Sequence, residues 1–277
     1  LITGATNGIG EEAAKQIALM GAEIVFIARN PSKAEELKHS LKSLTGREST
    51  SIIADLSSQE EVKRAASEFL SMNKPLNILL NNAGIMNTTR KETVDGLEEV
   101  FSVNHLAYYS FTLMLMNKLI ESSPSRVVNV ASGAHMFVKD MNFDDLQSEK
   151  IYKTMQVYGR SKLANILFTR ELAEKLEGKG VTVNCLHPGF VNTGIGSNNS
   201  PTMGRILMTL ARPFSRKTDR GAETSIYLCV SPEVENETGE YFYDCKKEKI
   251  SSAARDKENA TKLWKISSQL TGIDLLD

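Results

Sequence analysis

Tyr158 and Lys162 stand four residues apart in a segment whose apolar spacing predicts a helix over 155–177, so a phenol and an ammonium share one helix face about one turn apart. A phenol of pKa ~10 is a poor base at neutral pH, and a neighbouring ammonium favours its phenolate. Such a pair is suited to passing a proton to or from a carbonyl or alcohol oxygen. The spacing alone is not specific: Tyr243 and Lys247 repeat it in a charged, Cys245-containing stretch, where it reads as chance. What sets Tyr158 apart is its company. Ser132 closes the apolar run Val127–Ala131, and Asn104 lies in the helical segment before that run.

Near the beginning of the chain, Thr3-Gly4-Ala5-Thr6-Asn7-Gly8-Ile9-Gly10 follows a short apolar run and opens a helix on which Ile9, Ala13 and Ile17 share a face. That is the context a dinucleotide-binding turn needs: glycines for close backbone approach, and free N–H groups at a helix start for a pyrophosphate. Where an NAD site carries an acid at the end of the second strand, this chain has Ala28-Arg29-Asn30. A guanidinium there matches a 2′-phosphate, and no carboxylate follows until Glu35, so NADP(H) is favoured over NAD(H). Asp55-Leu56, past the third strand, suits the adenine edge, with Asp55 as the acceptor; a helix N-cap is the alternative for Asp55. Glu11, directly after Gly10, weakens the cofactor preference but suits a helix N-terminus.

These groups require a scaffold that brings strand ends together. Short runs rich in β-branched residues (Ile24–Ile27, Ile52-Ile53, Ile78–Leu80, Val127–Val130, Val181–Val183, with Tyr241-Phe242 last) alternate with helical segments at 31–44, 58–71, 94–120, 155–177, 219–230 and 252–270. The order predicts an α/β fold: a single Rossmann-type doubly wound parallel sheet of about seven strands with helices on both faces, ligands gathering at the strands' carboxyl ends. No linker divides residues 1–277, which read as one dinucleotide-binding and catalytic domain. The first run, from Leu1, is about half a normal strand, so the strand is expected to begin upstream.

From the glycine turn through Asn81-Asn82-Ala83-Gly84, Asn104, Ser132, Tyr158-Gly159-Arg160-Ser161-Lys162 and Pro188-Gly189 to Thr193, the chain resembles the short-chain dehydrogenase/reductase family. Val103-Asn104-His105, Ser132-Gly133-Ala134-His135, the run Ser161–Leu172 and the tail with Gly239–Cys245 and Leu263-Trp264 resemble its retinol dehydrogenase and lipid-aldehyde reductase branch. The resemblance implies a catalytic set of Asn104, Ser132, Tyr158 and Lys162: Tyr158 as acid/base, Ser132 on the substrate oxygen, Lys162 also on the nicotinamide ribose, and Asn104 holding a relay water. It implies further that the Asn82-Ala83-Gly84 backbone follows the adenosine half of the cofactor, and that Thr193 and the backbone around Pro188-Gly189 hold the carboxamide. His135 and His187, after strand ends, read as structural histidines.

The expected activity is interconversion of a lipophilic aldehyde or ketone and its alcohol, retinal-like or long-chain, with NADP(H). The alternatives are an NAD(H)-dependent hydroxysteroid-type dehydrogenase and a non-catalytic nucleotide-sensing scaffold. Residues 194–217, mixing Met203, Ile206, Leu207, Met208, Leu210 and Phe214 with Arg205, Arg212, Arg216 and Lys217, are expected to form a substrate lid whose basic flank suits a membrane surface; completing the core is the other reading of its apolar residues. A net charge of −1 gives no pull towards nucleic acid. The uncharged stretch Val100 to Asn117 reads as a buried helix rather than a membrane span, and it and the 155–177 helix resemble those through which family members pair as homodimers. Three scattered cysteines, Cys185, Cys229 and Cys245, point to a reducing, cytoplasmic or cytoplasm-facing location and to no metal cluster.

Overall fold

The computed structural model describes residues 1–189 and 218–275. Among them runs one sheet of eight strands: β1 (Ile2–Thr3), β2 (Val25–Ala28), β3 (Thr50–Ile53), β4 (Ile78–Asn81), β5 (Ser125–Val130), β6 (Val181–Leu186), β7 (Tyr241–Tyr243) and β8 (Lys246–Lys247). The order is β3-β2-β1-β4-β5-β6-β7-β8. The first seven are parallel, and β8 turns back antiparallel on β7. The strand order reverses between β1 and β4, which makes the carboxyl ends of those two strands the natural ligand crevice.

Both faces of the sheet are covered because alternate side chains go opposite ways. Val25, Ile27, Ile52, Leu79, Val127 and Val183 pack with α3 (Gln59–Ser71), α5 (Ala107–Met114), α6 (Met116–Glu121) and α7 (Thr154–Lys175). Ile2, Phe26, Ala28, Leu80, Val128 and Leu186 pack against α1 (Gly8–Leu19), α2 (Pro31–Thr45) and α8 (Thr218–Val230).

The predicted 94–120 helix is broken in three. A short α4 (Glu99–Phe101) passes into a π-helical turn, Ser102–Leu106, then α5, and a further break at Leu115 precedes α6. Glu98 caps this assembly, its two carboxylate oxygens accepting from Val100 N at 2.9 Å and Phe101 N at 2.7 Å. Two buried asparagines, paired in register on β4 and β5, tie the helices to the sheet. Asn81 donates to Thr112 of α5 and to Asn129, and Asn129 donates to Thr169 of α7, each at 2.9 Å. Buried amides need such partners, and here the partners fix the two helices that carry the site.

The segment predicted as 252–270 forms α9 (Ser252–Arg255) and α10 (Lys257–Thr271). α10 lies on α5 and α7: Trp264 stacks on Phe168 and meets Tyr109 edge-on, ring centroids 5.9 and 5.1 Å apart. α10 thus covers part of the surface of α5 and α7. No helix among the described residues is long and apolar enough to cross a membrane.

Candidate active site

At the crevice, Gly4 and Gly8 adopt positive φ of 66° and 58°, and the turn between β1 and α1 is fastened to β4. Thr3 Oγ1 accepts from Asn82 N at 2.9 Å and Ala83 N at 3.1 Å, while Asn82 Nδ2 donates to the carbonyls of Thr3 and Gly4. A Cβ on Gly10 would fall 2.3 Å from Asn82 Nδ2 and 2.4 Å from Gly4 O, so the third glycine lets α1 close on its own turn. The Asn82 side chain therefore holds the turn in shape, beyond the backbone role the resemblance gave it. Asn7 is extended and makes no side-chain cap at α1, leaving the first N–H groups of the helix open to an anion. Glu11 pairs with Lys15 along the helix, which offsets the charge that argued against a phosphate. These features fit a dinucleotide.

Arg29 follows β2, exposed and with no ion-pair partner among the described residues. Glu35, the next carboxylate, is engaged by Lys38 at 2.9 Å, and Asn30 caps α2 by accepting from Lys33 N. Asp55 does not cap α3, as one reading of the sequence had it: Ser58 does, and Asp55 Oδ1 accepts from Ser57 N at 2.9 Å in a local turn. Asp55 stays half-buried beside buried Leu56. Gly189 has φ 78° after Pro188, and its N donates to His187 Nδ1 at 3.2 Å. Thr193 and the expected lid 194–217 lie outside the described residues.

Around Tyr158 the remaining groups converge. Gly159 brings α7 against the 3-10 turn Gly133–Phe137 that follows Ser132: a Cβ there would stand 2.8 Å from Ala134 O. Ser132 Oγ accepts from Ala134 N at 3.1 Å and faces the Tyr158 phenol. The spacing of Tyr158 and Lys162 predicted a phenol drawn down by the ammonium. In the structure burial pushes the phenol up, and the opposing influence is the neighbouring Ser132 side chain. Lys162 is itself buried, which brings its ammonium down to about 7. Its Nζ donates to Val130 O at 2.9 Å and lies 5.8 Å from the ring centroids of both Tyr158 and Tyr108. A Cβ on Gly84 would reach within 3.4 Å of Lys162 Nζ, so this glycine keeps the space beside the ammonium open.

Asn104 sits in the π-helical turn, a local widening that recurs at functional sites. Its side chain is fully spent: Oδ1 accepts from Ile85 N at 2.8 Å, and Nδ2 donates to Ile85 O and to Ser161 Oγ. Ser161 in turn donates to Tyr158 O. Tyr108 was not singled out by the sequence. It is buried, donates to Ala83 O at 2.7 Å and so props the Asn82–Gly84 backbone beneath Lys162. Its position one turn beyond Asn104 was the available signal.

His135 is structural: Nδ1 bonds Ser132 O at 2.8 Å, and Nε2 accepts from Ser251 N. His187 stacks on Tyr243 with centroids 4.0 Å apart. Met136 and Phe137, after Ser132, and Ile151 and Met155, before Tyr158, are exposed apolar side chains.

The family model for short chain dehydrogenases matches residues 1–204. The chain belongs to the short-chain dehydrogenase/reductase family. It is 41% identical to retinol dehydrogenase 12 of Mus musculus over 274 residues, covering 99% of this chain and 86% of that protein. It is also 41% identical to retinol dehydrogenase 14 of Homo sapiens, with the same coverage of both. These relatives place it on the retinol dehydrogenase branch, among oxidoreductases acting on CH–OH groups. Among solved structures, an uncharacterized protein of Mycobacterium Paratuberculosis superposes with TM-score 0.80 at 27% identity, over 100% of this chain and 94% of that one. A short chain dehydrogenase of Burkholderia cenocepacia J2315 in complex with NADP gives TM-score 0.70 at 25% identity, over 92% and 96%. The eight-stranded sheet is thus the family's Rossmann-type fold with one strand more than the sequence predicted.

Proposed function

We propose that this short-chain dehydrogenase, acting as one unit over residues 1–277, interconverts a lipophilic aldehyde or ketone and its alcohol with NADP(H). The observation that carries the reading is the convergence of Tyr158, Ser132, Lys162 and Asn104 beside an open helix N-terminus at the strand-order reversal.

The bound nicotinamide supplies or removes the hydride. The α1 N-terminus with Gly4, Thr6, Asn7, Gly8, Ile9 and Gly10 would take the pyrophosphate, Asp55 and Leu56 the adenine, and Pro188-Gly189 with Thr193 the carboxamide. Because Ser132 Oγ already accepts from Ala134 N, its own proton is free for the substrate oxygen, where it stabilises developing charge. Tyr158, kept protonated by burial, passes its phenolic proton to that oxygen in reduction and takes it back in oxidation. Lys162 spends one N–H on Val130 O and keeps the others for the ribose hydroxyls and for the field at Tyr158. With its amide spent on Ile85 and Ser161, Asn104 serves the relay through its main-chain carbonyl, in a π-helical turn of the kind that recurs at functional sites.

Arg29 supports NADP(H): it is exposed at the end of β2, and the nearest downstream carboxylate is already paired. The exposed Met136, Phe137, Ile151 and Met155 support a lipophilic substrate, as does the name of the relatives. The test is loss of nicotinamide absorbance with NADPH and with NADH against retinal, straight-chain aldehydes and a steroid ketone. Turnover of the lipophilic aldehydes with NADPH is expected. Activity confined to NADH and the steroid ketone would overturn both the cofactor and the substrate assignment.

A further inference from the structure

β6 ends at Leu186, and the next residue, His187, is still tied into the sheet, its N donating to Phe242 O at 3.0 Å. Continuing the register of β6 and β7 sets His187 opposite Tyr243. There the imidazole lies flat on the Tyr243 ring, centroids 4.0 Å apart and planes 8° apart. Tyr241, on the same face of β7, lies nearly parallel to it at 5.7 Å. The sheet thus fixes the plane of the imidazole. Pro188 has no N–H, so the first donor past His187 belongs to Gly189, whose φ of 78° is one that L side chains rarely adopt. That N–H donates to His187 Nδ1 at 3.2 Å. A ring nitrogen here closes the turn that Asn and Asp close with a side-chain oxygen two residues before the donor. A nitrogen that accepts carries no proton, so the imidazole proton stands on Nε2. A Cβ on Gly133 would lie 3.8 Å from Nδ1 and Cε1, so the same edge of the ring runs alongside the residue after Ser132.

We propose that His187 is a positioning residue for the nicotinamide end of the cofactor: by accepting from Gly189 N it sets the Pro188-Gly189 turn in the conformation that receives the carboxamide. The inference rests on the proposed placement of the carboxamide at this turn, and goes beyond it in naming the side chain that shapes the turn. The Tyr243 stack holds the ring, the ring holds the Gly189 N–H, and the turn is formed before a ligand arrives. Without the acceptor, Gly189 is free to take other backbone conformations, and ordering the turn then counts against cofactor binding. The adenosine half, proposed to lie along the α1 turn and Asp55, is not touched by this ring. Because the imidazole also borders Gly133, it lies between the turn proposed for the carboxamide and the turn that presents the Ser132 hydroxyl.

Two titrations of the purified chain read the halves of the cofactor separately: one with NADPH, one with adenosine 2′,5′-bisphosphate, which has the adenosine half and no nicotinamide. His187→Phe keeps a ring on Tyr243 but offers Gly189 N no acceptor. His187→Asn loses the ring but offers Oδ1 to the same N–H. His187→Phe is expected to bind NADPH ~3- to 10-fold more weakly, the worth of one hydrogen bond, with bisphosphate affinity and thermal unfolding close to wild type. His187→Asn is expected to unfold at a lower temperature and yet to bind NADPH within ~2-fold of wild type. A role in packing alone predicts the reverse order, with His187→Asn the weaker binder. If His187→Phe does not fold, His187→Ala takes its place: Ala and Asn both lack the ring, and of the two only Asn accepts. NADPH affinity that follows stability from variant to variant, or that is unchanged in all of them, would overturn the role of His187. A wild type that binds NADPH no more tightly than the bisphosphate would overturn the placement of the carboxamide itself, and the proposal with it.

Discussion

The α-carbon of Gly159 sits so close to Ala134 that a Cβ would be 2.8 Å from the Ala134 carbonyl oxygen, and 3.0 Å from Val138 Cγ1. This contact sets the distance between α7, which carries Tyr158, and the turn that begins at Ser132. Gly159→Ala should push the two apart. Overpacking of this kind costs ~1–3 kcal/mol, and a misplaced proton donor costs up to ~10²-fold in rate. Thermal unfolding and kcat/KM measured together should both fall; a variant with unaltered kcat/KM would show that this spacing is not what aligns Tyr158 with Ser132.

Lys162 is a buried ammonium brought down to about 7, and that has a stability cost of definite sign. Between its unfolded pKa near ~10.5 and the folded value, the unfolded chain binds the proton and the folded chain does not. Stability contributed by this group is therefore complete only above ~10.5 and is lost by about 1.4 kcal/mol per pH unit as pH falls towards 7. Lys162→Met should abolish turnover and yet gain stability over the wild type progressively as pH is lowered from 10 to 7. Urea midpoints across that range read the trend; a difference that is flat with pH would place the lysine proton elsewhere.

Arg29→Ala should raise KM for NADPH by ~10-fold or more and leave KM for NADH nearly unchanged, since a guanidinium–phosphate fork is lost only with the phosphorylated cofactor. Equal losses with both cofactors would mean that Arg29 does not read the 2′-phosphate.

Thr3→Val makes a contrasting prediction. It preserves shape but removes the oxygen that accepts from Asn82 N and Ala83 N, and a buried unsatisfied amide costs ~1–3 kcal/mol. Stability should drop, and NADPH and NADH affinities should weaken together, as judged by fluorescence titration. A cofactor-selective effect would contradict the assignment of this oxygen to the shape of the turn.

How far the sequence discloses the molecule depends on where each feature originates. Parallel strands such as Val25–Ala28 and Val127–Val130 announce themselves because both faces are buried and, Asn129 apart, every position is apolar. Lys246–Lys247 is legible only as charge, so β8 was not expected. The breaks within 94–120 leave no trace, because a segment without a single charge from Val100 to Asn117 has no polar face whose slippage would reveal a π-helical turn. Asp55 was weighed as a cap because Asp is a good cap; Ser58, followed by Glu60 and Glu61, is the better-placed one. Among the site residues, Tyr158, Lys162, Ser132 and Asn104 are brought together at the strand ends. The contributions of Tyr108, Ser161 and the Asn82 side chain come from contacts between elements distant in sequence. The pairing expected of α5 and α7 followed from resemblance. The packing of Trp264 and its helix on α5 and α7 is a contact that local periodicity does not encode.

In the proposed NADP(H)-dependent carbonyl–alcohol interconversion, Tyr158 is the proton donor and acceptor. The most direct measurement is turnover of Tyr158→Phe beside the wild type, with NADPH and the best lipophilic aldehyde, together with NADPH affinity for both proteins. A loss of turnover of at least ~10²-fold at unchanged NADPH affinity is expected, because only the transferable proton is removed. A loss of less than about tenfold, or a loss explained entirely by weaker NADPH binding, would contradict it.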